Sequence, residues 1–185
     1  MTGSLSRDTG LPPNRDSSKR SAEAPSAGQV NRIAGLQKPD LTLKGCPALG
    51  PEAPRVLIYT DGGCRPNPGP GGWAAILWTG GWELELGGGG PDTTNNRMEM
   101  TAALQGLLAT PVGAEGKIYS DSLLLVNTMT RNWKKNANKD LWEQLDAVRS
   151  QRKVFWVKVP GHAGQPENEL VDKIANQAAH RVVGR

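Results

Sequence analysis

Residues 55–64 read Arg55-Val56-Leu57-Ile58-Tyr59-Thr60-Asp61-Gly62-Gly63-Cys64, and this stretch decides the fold. Val56 to Tyr59 is an unbroken apolar run, the pattern of a strand buried on both faces, and Gly62-Gly63 reads as its stop. Asp61 then stands at the end of a strand, where ligands of open α/β sheets collect. Asp before Gly-Gly is also ordinary turn chemistry, so the meaning of Asp61 depends on its company.

Downstream, Arg65 to Gly72 is too rich in Pro and Gly to be anything but a shaped loop. Trp73 to Trp78 reads as a second strand, and Thr79-Gly80-Gly81 turns it into a third. In that strand Trp82, Leu84 and Leu86 alternate with Glu83 and Glu85. Gly87 to Thr94 reads as a glycine-rich connection. Met100, Ala103, Leu104, Leu107 and Leu108 then follow helical spacing, with Asn96 as the expected cap and Glu99 three residues on. Lys117 to Ser120 is a fourth strand ending at Asp121. Helices are expected over Ser122 to Lys135 and over Asn138 to Arg149, and a fifth strand over Lys153 to Val159. A Pro160–Pro166 loop leads into a last helix opened by Pro166. This order predicts an α/β fold, a five-stranded mixed sheet with helices on both faces.

All nine aromatic residues lie at or after Tyr59, whereas half of the fourteen prolines lie at or before Pro54. Residues 1–54 therefore read as a disordered N-terminal extension, and residues 55–185 as one folded domain long enough to bury a core. The first residues lack the apolar core of a signal peptide, and Asp8 and Asp16 argue against an organelle transit peptide. No apolar run is long enough to span a membrane. The net charge of +4 divides equally between extension and domain, a balance that permits nucleic-acid binding without requiring it. Cys46 and Cys64 make no zinc spacing and no disulfide framework, so a reducing compartment, the cytoplasm, is expected.

Four carboxylates stand out: Asp61 and Asp121 at strand ends, Glu99 near the start of one helix and Asp172 near the start of another. Strand ends and helix starts on one rim of a sheet can converge in space. Such a cluster repels itself unless cations sit in it, and oxygen ligands without paired His or Cys favour Mg²⁺ or Mn²⁺. Each residue also has a plainer role open to it. Glu99 could complete a capping box, Asp121 could be a turn residue before Ser122, and Asp172 could belong to a solvated helix face. His162 sits on a Gly-flanked loop, where a histidine is commonly just solvated.

Taken in order, TDGGC with Asn67-Pro68-Gly69-Pro70-Gly71-Gly72, then TTNNRMEM, SDS, NWKK followed by DLW, and PGHAG with PENELVD resemble the successive motifs of the ribonuclease H type 1 family. The resemblance covers about Arg55 to Gly184 and implies a ribonuclease H-like fold. It also implies endonucleolytic hydrolysis of the RNA strand of RNA/DNA hybrids, by a monomer. Asp61, Glu99, Asp121 and Asp172 match the family's metal-binding carboxylates, and His162 matches a histidine that assists product release. The implied site uses two Mg²⁺ ions, with Mn²⁺ as a substitute, and leaves 5′-phosphate and 3′-hydroxyl ends. Substrate contacts are implied for Cys64, Asn67, Thr94, Asn95, Asn96, Asn132, Trp133, Lys134 and Lys135, those in the loop after Asp61 and in the TTNN run lying near the RNA 2′-hydroxyls. One departure stands out. The Lys-rich handle that other members carry between NWKK and DLW is reduced here to Asn136–Lys139.

Overall fold

The computed structural model describes residues 40–44, 55–79, 82–161 and 164–184. Readings made on residues 1–39 and 45–54 lie outside them. The elements are β1 Asp40–Lys44, β2 Arg55–Cys64, β3 Gly69–Thr79, β4 Trp82–Thr93, α1 Asn95–Leu108, β5 Glu115–Ser120, α2 Leu123–Arg131, α3 Lys139–Arg149, β6 Lys153–Lys158 and α4 Pro166–Val183.

The five expected strands, β2 to β6, form one mixed sheet, and β1 extends it at one edge to the order β1-β4-β3-β2-β5-β6. β2 is antiparallel to β3 and parallel to β5, which is parallel to β6. β1 comes from the stretch read as disordered extension and runs antiparallel to β4, with Leu41 opposite Leu86. Its five residues alternate Leu with polar residues, a period-two signal too short to show in the composition of a long segment.

Helices cover both faces. On β3, Trp73, Ala75 and Leu77 join the core built with α1, α2 and α3, through Leu104, Leu107, Leu125, Leu141 and Leu145. Ala74 and Ile76 point the other way, onto Val171 and Ala175 of α4. This alternation is the expected pleat of a strand between two layers. β2 departs from the prediction on its α4 side, because Val56 and Ile58 are buried while Leu57 is 43% exposed.

Glycine runs read as stops or connections lie inside strands. Gly62 pairs with Trp73 and Gly63 with Gly72, so β2 continues through them, and Gly87 to Gly90 belong to β4. The reason is close packing rather than turning. A Cβ on Gly62 would stand 2.3 Å from the Glu99 nitrogen of α1, and one on Gly72 would stand 2.1 Å from the Ala175 carbonyl of α4. Both helices rest directly on bare strand backbone.

Helix boundaries also shift. α2 stops at Arg131, short of the expected Lys135, because Asn132 takes a left-handed conformation with φ of 54°. Asn138, with φ of 55°, precedes α3. Residues 132–138 thus form a short irregular bridge between α2 and α3.

Candidate active site

Parallel pairing of β2 with β5 sets Thr60 opposite Ser120, so Asp61 and Asp121 follow at the same end of the sheet. Glu99 arrives from α1, held there by the contact of that helix with Gly62. Carboxylate oxygens of Asp61, Glu99 and Asp121 lie within 4.8 Å of one another. Asp172 joins from α4, lining the same cleft and close enough for its charge to act on Asp61. One turn further along α4, Asn176 Nδ2 donates to Asp172 Oδ1 at 2.9 Å and steadies it. The four acids line a cleft of ≈ 360 Å³ together with Gly63, Cys64 and Asn95.

The plainer roles are taken by other residues. Thr94 caps α1, its hydroxyl accepting from the Arg97 N–H at 3.4 Å, so Glu99 lies beyond the first turn and completes no capping box. Ser122 caps α2, accepting from the Leu125 N–H at 3.4 Å, which leaves Asp121 free of that duty. Asp172 faces the cleft rather than a solvated helix side. Glu99 Oε2 and Asp121 Oδ1 are buried without any hydrogen-bond partner.

Burial pushes the Asp61 carboxyl up to about 7, helped by the charges of Asp121 and Asp172 and opposed by the Gly62 N–H, 2.8 Å from Oδ1. Burial likewise raises Glu99 well above its ordinary value, with Asp61 and Asp121 adding to the effect and Lys158 pulling it back. Crowded acids with unsatisfied buried oxygens fit a hard divalent cation, which would satisfy those oxygens and remove the repulsion. No histidine or thiolate competes within this set.

The other predicted residues fall around the cleft. Asn67 Oδ1 accepts the Asn95 N–H at 3.1 Å, tying the β2–β3 loop to the start of α1, while Asn96 is exposed beside it. The buried Cys64 thiol donates towards the carbonyls of Pro66 (3.0 Å), Gly69 (3.2 Å) and Thr93 (3.4 Å), so it braces that loop. Trp133 is 43% exposed, and Asn132 and Lys134 are exposed as well. Lys135 pairs with Asp146 at 2.5 Å and lies 5.6 Å from the Trp142 ring centroid, directed at α3. His162 lies outside the described residues. The loop bearing it begins against the cluster, since a Cβ on Gly161 would be 2.7 Å from Asp121 Oδ2.

Sequence reasoning passed over Lys158 and Asn176. Asn176 follows Asp172 at i+4, a spacing that faces one helix side and could have been noticed. Lys158 at the end of a strand gives no such signal.

A mixed sheet between helices, with an oxygen-only acid cluster at the ends of two parallel strands, is the frame of a metal-dependent hydrolase. The family model described as RNase H matches residues 53–180, and the chain belongs to the ribonuclease H family. It is thus an endoribonuclease by family. The chain is 48% identical over 142 residues to Ribonuclease H of Hydrogenovibrio crunogenus, covering 70% of this chain and 98% of that one. With Ribonuclease H of Dechloromonas aromatica it shares 46% over 144 residues, 70% of this chain and 96% of the other. Among solved structures, a type 1 RNase H with the type 2 active-site motif superposes with a TM-score of 0.62 at 25% identity, over 72% of this chain and 75% of that one. An RNase H1 in complex with RNA/DNA hybrid gives 0.59 at 25% identity, over 69% and 99%.

Proposed function

We propose that the protein cleaves the RNA strand of RNA/DNA hybrids endonucleolytically at the cluster of Asp61, Glu99, Asp121 and Asp172, leaving 5′-phosphate and 3′-hydroxyl ends. The observation that carries this reading is the approach of three carboxylates to within 4.8 Å with buried, unpartnered oxygens among them. Two Mg²⁺ ions, or Mn²⁺ in their place, supply an activated water and charge stabilisation at the leaving oxygen when bound there. Asp61, near the end of β2, and Asp121, just past the end of the parallel β5, form the rigid floor of the site. Glu99 closes it from the core side, and Asp172, steadied by Asn176, stands at the more open side.

Recognition falls to the rim. The Asn67–Asn95 hydrogen bond holds two loop segments as one surface for the RNA strand, whose 2′-hydroxyls distinguish it from DNA. Trp133 and Lys134 on the 132–138 bridge serve the substrate from the far side, by stacking and by phosphate contact. His162 assists release of product from its loop beside Asp121. All four acids come from one chain, which supports a monomer, and cysteine usage supports the cytoplasm. No described helix is long and apolar enough to cross a membrane. Residues 55–185 act as the catalytic domain, and β1 of the 1–54 extension adds to the edge of its sheet.

Labelled RNA/DNA hybrid, duplex DNA, duplex RNA and single strands, each incubated with and without Mg²⁺, test the reading. Cation-dependent cutting confined to the RNA of the hybrid is expected, with 5′ ends that ligate without prior phosphorylation. Equal cutting of duplex DNA, or undiminished cutting in chelator, would overturn it.

A further inference from the structure

The first turn of α1 is fastened on two sides. On one, the Asn95 N–H meets Asn67 of the β2–β3 loop. On the other, the Arg97 guanidinium grips the start of α3, Nη1 to Asp140 Oδ1 at 3.1 Å and Nη2 to Asp140 Oδ2 at 2.7 Å, while Nη1 also reaches Asn138 Oδ1 at 3.2 Å. This paired fork fixes orientation as well as distance, which a lysine ammonium would not do. The pairing raises Arg97 and lowers Asp140 from their ordinary values.

The grip matters because of what it joins. Glu99, one of the clustered acids, lies two residues beyond Arg97 on the same helix. Asn138 ends the 132–138 bridge, an irregular stretch bounded by left-handed Asn132 and Asn138. Within it Trp133 is exposed, and the other side-chain tie is Lys135 to Asp146 on α3. Lys135 binds the bridge to α3 alone, whereas Arg97 binds it to the helix that carries an acid of the site.

We propose that Arg97 is a positioning residue for hybrid cleavage: through Asp140 and Asn138 it sets the 132–138 bridge, with Trp133 and Lys134, at a fixed place relative to the carboxylate cluster. The inference rests on the hybrid-cleaving function proposed above. In an enzyme with the long handle absent, this short bridge is the remaining substrate-facing segment between α2 and α3. Its placement therefore governs how firmly the hybrid is held rather than how fast the bond is cut.

The test compares the full chain with Arg97→Ala, Arg97→Lys, Asp140→Asn and the double variant Arg97→Ala/Asp140→Asn, all well below their melting temperatures. A rise in KM of about fivefold with kcat within about twofold is expected for each single variant, the double being no worse than the worse single. Arg97→Lys should not rescue KM, because charge without the fork does not restore the geometry. Unchanged KM in both Arg97 variants, full rescue by lysine, or KM effects that multiply in the double variant would each overturn the proposal. Hydrogen exchange of the 132–138 amides needs no activity, so it separates this inference from the functional reading. Faster exchange in Arg97→Ala supports the placement even if the unmodified chain leaves hybrid uncut, and unchanged exchange contradicts it.

Discussion

Gly62 and Glu99 touch through their backbones: a Cβ built on Gly62 would stand 2.3 Å from the Glu99 nitrogen and equally close to the Met98 carbonyl carbon. The neighbouring atoms are helix backbone, which cannot swing aside as a side chain can. Gly62→Ala should therefore lift α1, cost about 1–3 kcal/mol of stability and displace an acid of the cluster. At Gly63 an added Cβ meets nothing within 4 Å, so Gly63→Ala should change stability by about 0.5 kcal/mol or less. Thermal melting of the two variants checks the contrast, and equal melting would contradict the close approach.

The pH dependence of the cation-free protein follows from Asp61. Its carboxyl titrates near 3.8 when free and is raised to about 7 in the fold by burial, then by Asp121 and Asp172. A raised acid favours folding while protonated, so its contribution is full below about pH 4 and is lost as pH rises through 7. In chelator the melting temperature should fall between about pH 4 and pH 7, reporting a stability loss on the order of a few kcal/mol, and level off above that. Saturating Mg²⁺ should flatten the fall, and so should Asp61→Asn. A flat profile for the unmodified protein in chelator would remove the electrostatic account of the cluster.

Lys134 and Lys135 are neighbours in sequence with different occupations. Lys135 pairs with Asp146 and covers Trp142, whereas Lys134 is exposed. Each phosphate neutralised steepens the salt dependence of nucleic-acid binding by about one unit of slope. Lys134→Ala should reduce that slope by about one with melting unchanged. Lys135→Ala should lower melting slightly and leave most of the slope intact. Titrating hybrid binding against salt for both variants decides it, and a larger slope change for Lys135→Ala would reverse the assignment.

Much of this site could be read from the chain because its chemistry sits where apolar runs end. The run before Asp61 and the one before Asp121 both mark strands, and their parallel pairing brings the acids together. Glycine was harder, since propensity rules treat it as punctuation, whereas Gly62 and Gly72 are landing surfaces for α1 and α4 inside strands. The cap of α1 is Thr94 rather than the expected Asn96, two residues apart, because Thr93, Thr94, Asn95 and Asn96 are four successive cap formers that local pattern does not rank. β1 gives little strand signal, since five alternating residues vanish in the average of a long polar segment. The Arg97 fork and the charge of Lys158 acting on Glu99 couple residues distant in sequence, where local pattern is silent.

Hybrid cleavage by Asp61→Asn beside the unmodified protein, in the same Mg²⁺ concentration, tests most directly whether the acid cluster is the catalytic centre. An amide keeps the shape of the side chain and removes the charge that holds a cation, while relieving repulsion from Asp121 and Asp172. The account predicts that cutting of the RNA strand falls by at least about a thousandfold, with cation-free melting equal to or above that of the unmodified chain. Cleavage by Asp61→Asn at the unmodified rate would contradict it.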